Sequence, residues 1–451
     1  VLNCSVNRVC ETSRPMSRQE KVLYSVWLQK KFSQAGLRTI DGKPLSILSP
    51  GSRNETEGPD FSDAVVQIDD NILQGSIEIH WTGEDWYAHR HHLDPVYNTT
   101  ILHVVAAAVP DLEIRRQDGK IIPTLVLAAD RLEVIPEEYR CAQWPGLATE
   151  GFRAIIENYA GLRFRRKCAA LRDGLSRRGV EDVFFAGLCD VLGYSKNRQA
   201  FAALAQAVPV SLIYEITGSS TPHERLLNLE SALLGLAGIL TTERYLKQIE
   251  SSKYLDGVRT RWKSLKRRYR LREIEGVNWH FAGSRPANHP TRRIAALAQM
   301  IVKVYPGHLA QLWLQRIASR QSFAEVEHWV SEIFQQPGGM WKNHPLFRFQ
   351  PGRVLLGTNR LRDLWTNLLL PFAWATAALQ KQTDQMQRTR EFAEMVPRGE
   401  IPAQVRRLLN RLSVPISELR RNDQIQGLIE YQKRFCDLKI CNLCMFEKYV
   451  L

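Results

Sequence analysis

NETEGPDFSDAVVQIDDNILQGSIEIHWTGEDWYAHRHHLDPVYNTTILHVV, the run from Asn54 to Val105, gathers acidic residues, five histidines and two tryptophans into one stretch. Its first half alternates. Ala64 to Ile68 and Ile72 to Trp81 carry apolar side chains at every second position, the period of a strand, and Asp69-Asp70-Asn71 between them is turn chemistry. The pair reads as a hairpin. On its second strand Ser76, Glu78 and His80 share one face, while Ile77 and Ile79 point to the other. Gly83 to His92 is expected as a short helix carrying Trp86, His89 and His92. Thr100 to Ala107 is expected as a buried strand with His103 inside it.

Upstream, Ser17 to Phe32 has helical periodicity, with Ser17 and Glu20 placed as a capping box. Pro44 to Leu48 is a short extended segment closed by the turn signal Pro50-Gly51. Downstream, Leu112 to Arg115 and Ile121 to Ala128 suggest another hairpin through Gln117-Asp118-Gly119. The order is helix, strand, strand, strand, helix, strand. After about residue 130 the pattern turns helical, over Ala154 to Arg172, Val180 to Leu192, Arg198 to Ala207, Leu226 to Leu240, Tyr245 to Arg270, Thr291 to Tyr305, Phe323 to Phe334, Gly357 to Gln380 and Ile416 to Phe435. Asn278 to Pro290 and Gln336 to Arg353 read as loops, the second a candidate lid. The expected organisation is a tail over 1–16, an α/β domain over 17–135, a basic helical domain over 136–430 and a cysteine-bearing end over 431–451.

A chain of 451 residues exceeds one ordinary core, so two or three domains are expected. With 44% hydrophobic and 24% charged residues it has the composition of a folded protein. No run approaches the roughly 18 apolar residues of a membrane span. There is no basic-then-apolar leader at the N-terminus, Met16 is a candidate start, and a cytoplasmic location is the default expectation. The net charge of +14 favours a polyanionic partner, because clustered Lys and Arg neutralise phosphates and release counterions. The excess gathers at Arg163 to Lys167, Arg259 to Arg272, Arg292-Arg293 and Arg406-Arg407. In the second cluster Arg259, Arg261, Lys263, Lys266, Arg267 and Arg268 surround Trp262, which suits phosphate contact beside base stacking; a solvated helix face is the plain alternative. Arg285, Asn288, Arg292 and Arg293, in and after the RPANHP loop, are further phosphate-binding candidates, with helix capping and internal pairing as the competing explanation.

Asp60 opens the second strand, and Glu78 and His80 share a face of the third. With the literal Pro59-Asp60, this layout resembles the PD-(D/E)xK nucleases. The resemblance implies a restriction-endonuclease-like αβββαβ core followed by a mainly helical region, and a metal-dependent nuclease acting on DNA or RNA. Asp60 and Glu78 would hold Mg²⁺ or Mn²⁺ through carboxylate oxygens, and the ion would activate water and offset phosphoryl charge. The third position, usually Lys, is His80, which can act as a base near neutral pH but lacks a fixed positive charge. Glu20, Glu57 and Asn54 are lesser candidates. The bland alternative is a hairpin with a solvent-facing Glu and His. His89, His91, His92 and His103 also have spacing that can support zinc, although no cysteine is near and His103 in an apolar strand is expected to be core.

GPDF, GSIEIH, DW-x-x-H, ILHVV and RPANHPTRRIA, in this order, resemble the bacterial family catalogued as domain of unknown function 2851, over most of the chain. That resemblance implies no activity. Near the end, Cys436, Cys441 and Cys444 form C-x4-C-x2-C, which suits an iron–sulfur cluster or Zn²⁺ with one ligand still to be found. The arrangement is similar to helicase-associated PD-(D/E)xK nucleases that tie one distant upstream cysteine to three C-terminal ones around a [4Fe–4S] cluster. The similarity implies Cys141 as the fourth ligand ahead of Cys10 and Cys4; three buried thiols in a helix is the alternative. Cys168 and Cys189 sit in apolar helical patterns and read as core. The leading expectation is a metal-dependent nuclease. The rivals are a non-catalytic nucleic-acid-binding protein on the same scaffold and a structural protein-interaction factor, with a zinc hydrolase behind them.

Overall fold

The alternation in 61–82 builds the hairpin at the centre of a mixed sheet. In the computed structural model, which describes residues 23–24, 26–28, 30, 32–54, 58–107, 109, 112–127, 139–218, 221–241, 253–275, 277–281, 288–336, 354–438, 441 and 444–451, β3 (Phe61–Ile68) and β4 (Asn71–Thr82) pair antiparallel with Phe61 opposite Ile77 and Ile68 opposite Asn71. Asp69 makes the turn at φ 51°, a left-handed conformation that Asp tolerates better than most residues. β1 (Leu45–Ser49) and β2 (Ser52–Arg53) both pair antiparallel with β3. Between them Gly51 has φ 81°, and a Cβ there would lie 2.4 Å from the Ser62 carbonyl, so the turn at Pro50-Gly51 requires glycine on two counts. β5 (Thr100–Ala107) runs parallel to β4 with His103 beside Glu78, and β6 (Thr124–Val126) runs parallel to β5. The strand order is β1-β3-β4-β5-β6.

One face of this sheet is a core. Ile77 and Ile79 of β4 pack with Leu102 and Val104 of β5, with Phe61, Ala64 and Val66 of β3, and with Leu23, Val26 and Trp27. Residues 23, 24 and 26–28 are helical, as expected within 17–32; Ser17 and Glu20 lie outside the described residues, as do Cys4, Cys10, Met16 and Glu57. The helix expected over 83–92 is shorter than its periodicity suggested. It covers Asp85–Ala88 alone. Arg90 then turns left-handed at φ 59°, and single turns follow at His91–Leu93 and Pro95–Thr99. Pro95 at the start of the last turn, with the Asp94 side chain accepting from the Val96 amide at 3.0 Å, restarts the chain after the break. The hairpin expected over 112–128 is reduced to one bridge, Arg115 to Ile121, around Gly119, because its second half joins β5 instead.

Two compact units result. The first comprises 1–148, 411–413 and 431–451, and the second comprises 149–410 and 414–430. The cysteine-bearing end thus belongs to the β-sheet unit: Leu147 bridges to Val450, and the Ala148 amide donates to the Tyr449 carbonyl at 2.8 Å. The second unit is helical. Thr149–Arg177, Val180–Gln206, Pro222–Leu236, Pro290–Val304 and Phe323–Phe334 match expected helices within a few residues, and Lys253–Arg268 falls within the helix expected over Tyr245 to Arg270, whose first residues lie outside the described ones. The two helices read separately over 180–207 are one. Val210–Thr217, Leu309–Ala318, Thr383–Met395 and Ala403–Arg411 are additional. Among the described residues no single helix is long and apolar enough to cross a membrane.

The basic run Arg163 to Lys167 is not a free phosphate grip. Arg163 and Arg166 reach the fully buried Glu430 at 3.4 and 3.0 Å. Nearby, Gly427 brings Asn422–Tyr431 against Thr149–Arg177 so closely that a Cβ would lie 2.1 Å from the Ile156 carbonyl. Glu430→Ala is therefore expected to cost about 3 kcal/mol, since two arginines lose a buried counter-charge, and Gly427→Ala about 1–3 kcal/mol from overpacking. Denaturant melts of the full chain measure both; an unchanged midpoint would contradict this account of the helical core.

Candidate metal centre

β4 presents Ile77 and Ile79 to the core, so its alternate residues Glu78 and His80 emerge on the other face. That face is not solvent. Glu78 is 4% and His80 2% exposed, because the segment after β4 folds back over it. Trp86, wholly buried, is fixed by its indole N–H donating to the Arg115 carbonyl at 2.9 Å. Asp85 accepts from the Thr82 amide at 2.9 Å and holds the start of that segment. His91 stacks on Tyr97 with ring centroids 3.9 Å apart. The expectation of a solvent-facing Glu and His is overturned.

Beneath this cover, ring nitrogens converge. His80 Nε2 lies 3.1 Å from His89 Nδ1. Glu78 Oε1 lies 3.1 Å from His91 Nε2 and 3.5 Å from His80 Nε2. The donor atoms of His80, His89 and His91 all fall within 4.8 Å of one another. An ion bound at about 2.1 Å holds such nitrogens roughly 3.4 Å apart, a separation between the 3.1 Å of the His80–His89 pair and the 4.8 Å that bounds the set. His91 Nε2 is buried, with the Glu78 carboxylate as its near polar neighbour at 3.1 Å.

Burial holds the His80 imidazole well below the usual histidine range, reinforced by His103, His91 and His89. Burial likewise takes His91 down to about 4 and His103 down to about 3. The rings are therefore neutral at neutral pH, the form that ligates metals. His80 Nδ1 lies 2.9 Å from His103 Nε2. Ligation through His80 Nε2 requires the proton on Nδ1, donated to His103, so His103 orients the ring from behind.

Asp60 supports this arrangement. Its amide donates to Glu78 Oε2 at 2.9 Å, and its carboxylate accepts from the Ile79 amide at 2.8 Å. Asn54 pins the loop beneath, its side-chain N–H donating to the Pro59 carbonyl at 2.9 Å. Asp60 and Glu78 are adjacent, as the hairpin predicts, yet the donors that face one another are His80, His89, His91 and Glu78. A set rich in imidazole suits Zn²⁺, Fe²⁺ or Mn²⁺ better than Mg²⁺, which prefers oxygen. Periodicity missed the partnership of His80 with His89 and His91. A continuous helix would have aligned His89 with His92, whereas the left-handed turn at Arg90 swings His91 inward and leaves His92 against Tyr87.

The basic positions divide. Lys263, Lys266, Arg267 and Arg268 are exposed on Lys253–Arg268, and Arg259 and Arg261 are half-buried. Trp262 is 1% exposed, packed on the bare Cα of Gly235, so it offers no platform for a base. Arg292 and Arg293 are buried as well. Their guanidiniums donate to the carbonyls of Val354 at 3.1 Å and Leu192 at 2.7 Å, and Arg293 also donates to the Asn288 side chain. These three are internal braces rather than phosphate ligands, because a loop carbonyl buried beside a helix needs a donor. Arg285 lies outside the described residues.

Cys141, Cys436, Cys441 and Cys444 line one small cavity with Tyr139, Arg140, Trp144 and Phe435. Cys168 and Cys189 are buried in the helical unit.

A metal titration tests the histidine set. His91→Ala is expected to weaken Zn²⁺ or Mn²⁺ binding by at least about 10-fold, and His92→Ala to leave it unchanged. Equal losses in both variants, followed by calorimetry, would remove His91 from the centre.

The family described as "Protein of unknown function (DUF2851)" matches residues 20–400. No curated protein and no solved structure matches the chain.

Proposed function

The chain belongs to the DUF2851 family of proteins of unknown function, and we propose that it is a metal-dependent hydrolase of nucleic-acid phosphodiesters. The observation that carries this reading is the convergence of buried His80 and half-buried His89 and His91 with the buried Glu78 carboxylate. A divalent ion held there supplies an activated water and charge to offset the phosphoryl oxygens.

The protein's own groups take the remaining roles. Glu78 Oε1 stands beside two of the nitrogen donors, so with an ion bound it would be the group placed to take the proton of a nucleophilic water. Its other oxygen is held by the Asp60 amide, so the carboxylate keeps one orientation. His80 is a metal ligand in this reading rather than a stand-in for lysine, and Asp60 is a positioning residue. The sheet, an antiparallel hairpin followed by parallel neighbours, is compatible with the restriction-endonuclease-like core that the sequence resembles. The shortened helix between β4 and β5 departs from it, and that departure is what delivers His89 and His91.

A nucleic acid is the favoured substrate on charge. The chain carries +14, and Lys263, Lys266, Arg267 and Arg268 are exposed along one helix. Each phosphate contact removed lowers the slope of log K against log salt by about 0.7–0.9. A Lys263→Ala, Arg267→Ala, Arg268→Ala variant should therefore lose roughly two to three units of slope if all three touch phosphates. Unchanged salt dependence would remove this helix from the interface.

The decisive assay incubates labelled single- and double-stranded DNA and RNA with Mn²⁺, Zn²⁺ or Mg²⁺. Cleavage should follow Mn²⁺ or Zn²⁺, and Glu78→Gln should slow it by about 10²–10⁴-fold while the metal stays bound. Cleavage that survives Glu78→Gln would overturn the assignment. Binding of nucleic acid without cleavage under any ion would favour the non-catalytic reading.

A further inference from the structure

A second set of metal-binding side chains lies in the same unit and is not used by the histidine centre. Cys141 and Cys436 are buried, and Cys441 and Cys444 half-buried. They come from segments almost three hundred positions apart in the chain, yet all four line one cavity. We propose that Cys141, Cys436, Cys441 and Cys444 ligate an iron–sulfur cluster that fastens the end of the chain to the β-sheet unit.

Four free thiols gathered in one apolar niche have no packing reason to be there. A buried cysteine packs as a small hydrophobe, and any small apolar residue would serve. The walls suit a thiolate-bound group. Tyr139, Trp144 and Phe435 exclude water. The Tyr431 hydroxyl lies 3.2 Å from Cys444 Sγ, where it donates to a thiolate, and is itself held by the Met445 amide at 2.9 Å. Burial pushes the Cys141 and Cys436 thiols up, and Arg411, 3.7 Å over the Tyr139 ring, offsets part of that cost. The chain widens into a π-helical turn over Gln432–Cys436, and such turns recur where a helix yields its regularity to a site.

Spacing selects the cluster over a single ion. Tetrahedral zinc with Zn–S near 2.3 Å holds sulfurs roughly 3.8 Å apart. Among the described residues, the set of three donors lying within 4.8 Å of one another is His80, His89 and His91; the cysteines, all described, do not form one. A multi-iron core accepts four sulfurs at wider separation, with one thiolate per iron. Docking of residues 449–451 at 146–148 brings the segment close, and the cluster would close the remaining gap. Cluster insertion replaces four S–H bonds with four Fe–S bonds, releases four protons, and takes four sulfides with two Fe²⁺ and two Fe³⁺ from outside, so no oxidant or reductant is needed.

The test is anaerobic purification of the full chain, with iron and acid-labile sulfide measured per polypeptide. Sulfide reports the cluster alone, since an iron in the histidine centre brings none. The expected result is about four of each, brown colour, and loss of sulfide to background in Cys141→Ser and in Cys441→Ser, with Cys189→Ser unchanged. Should the serine variants fail to fold, chelating the wild-type cluster and rebuilding it with equal Fe²⁺ and Fe³⁺ and sulfide gives the same readout without substitution. Stoichiometric zinc without sulfide would overturn the cluster. So would full sulfide in Cys141→Ser. The outcome is independent of whether Glu78→Gln abolishes cleavage, so the two readings fail separately.

Discussion

Burial of both faces of β4 over residues 77–80 is the constraint from which the rest of the β-sheet unit follows. A strand with one face in a core ordinarily turns its alternate residues to water. Here those residues are Glu78 and His80, and water is replaced by Trp86, His89, His91 and Tyr97. A carboxylate and an imidazole taken out of solvent must find partners. The Asp60 amide supplies one to Glu78 through the hairpin, His103 supplies one to His80 through the parallel neighbour, and the loop histidines complete the set. Remove the lid that Trp86 anchors and Glu78 would be a surface carboxylate with ordinary chemistry.

The same unit therefore carries two clusters with different donors and different logic. The histidine cluster is local in sequence: every member lies between Glu78 and His103, and the sheet register places them. The cysteine cluster is long-range, assembled when the last twenty residues return to 139–148. Soft thiolates in one and borderline imidazoles in the other would select different metals without mutual interference. The helical unit spends much of its basic charge internally. Arg163, Arg166, Arg292 and Arg293 brace buried carboxylates and carbonyls, so a cationic count overstates the surface available to an anion.

Much was legible in the chain. The hairpin of β3 and β4, the turn at Asp69, the strand β5 and the division of β4 into Ile77/Ile79 and Glu78/His80 faces all follow from a two-residue period. C-x4-C-x2-C and the distant Cys141, grouped from the sequence, line one cavity. What failed to show was whatever depended on a single dihedral or a distant surface. One left-handed residue, Arg90, decides that His91 rather than His92 joins His80. Trp262 reads as a stacking residue among cations, yet the hole that receives it is the bare backbone of Gly235 on another helix.

The sequence by itself determined the strand faces, the helical character of the second unit and the residue types available for chemistry, because those depend on periodicity and composition. The tertiary structure decided which of these residues meet. Burial is a property of two surfaces brought together, and no single segment encodes its own cover. For Glu78 that cover turns a solvent-facing position into a desolvated carboxylate among neutral imidazoles, and it lies after the strand, in the residues that fold back over it.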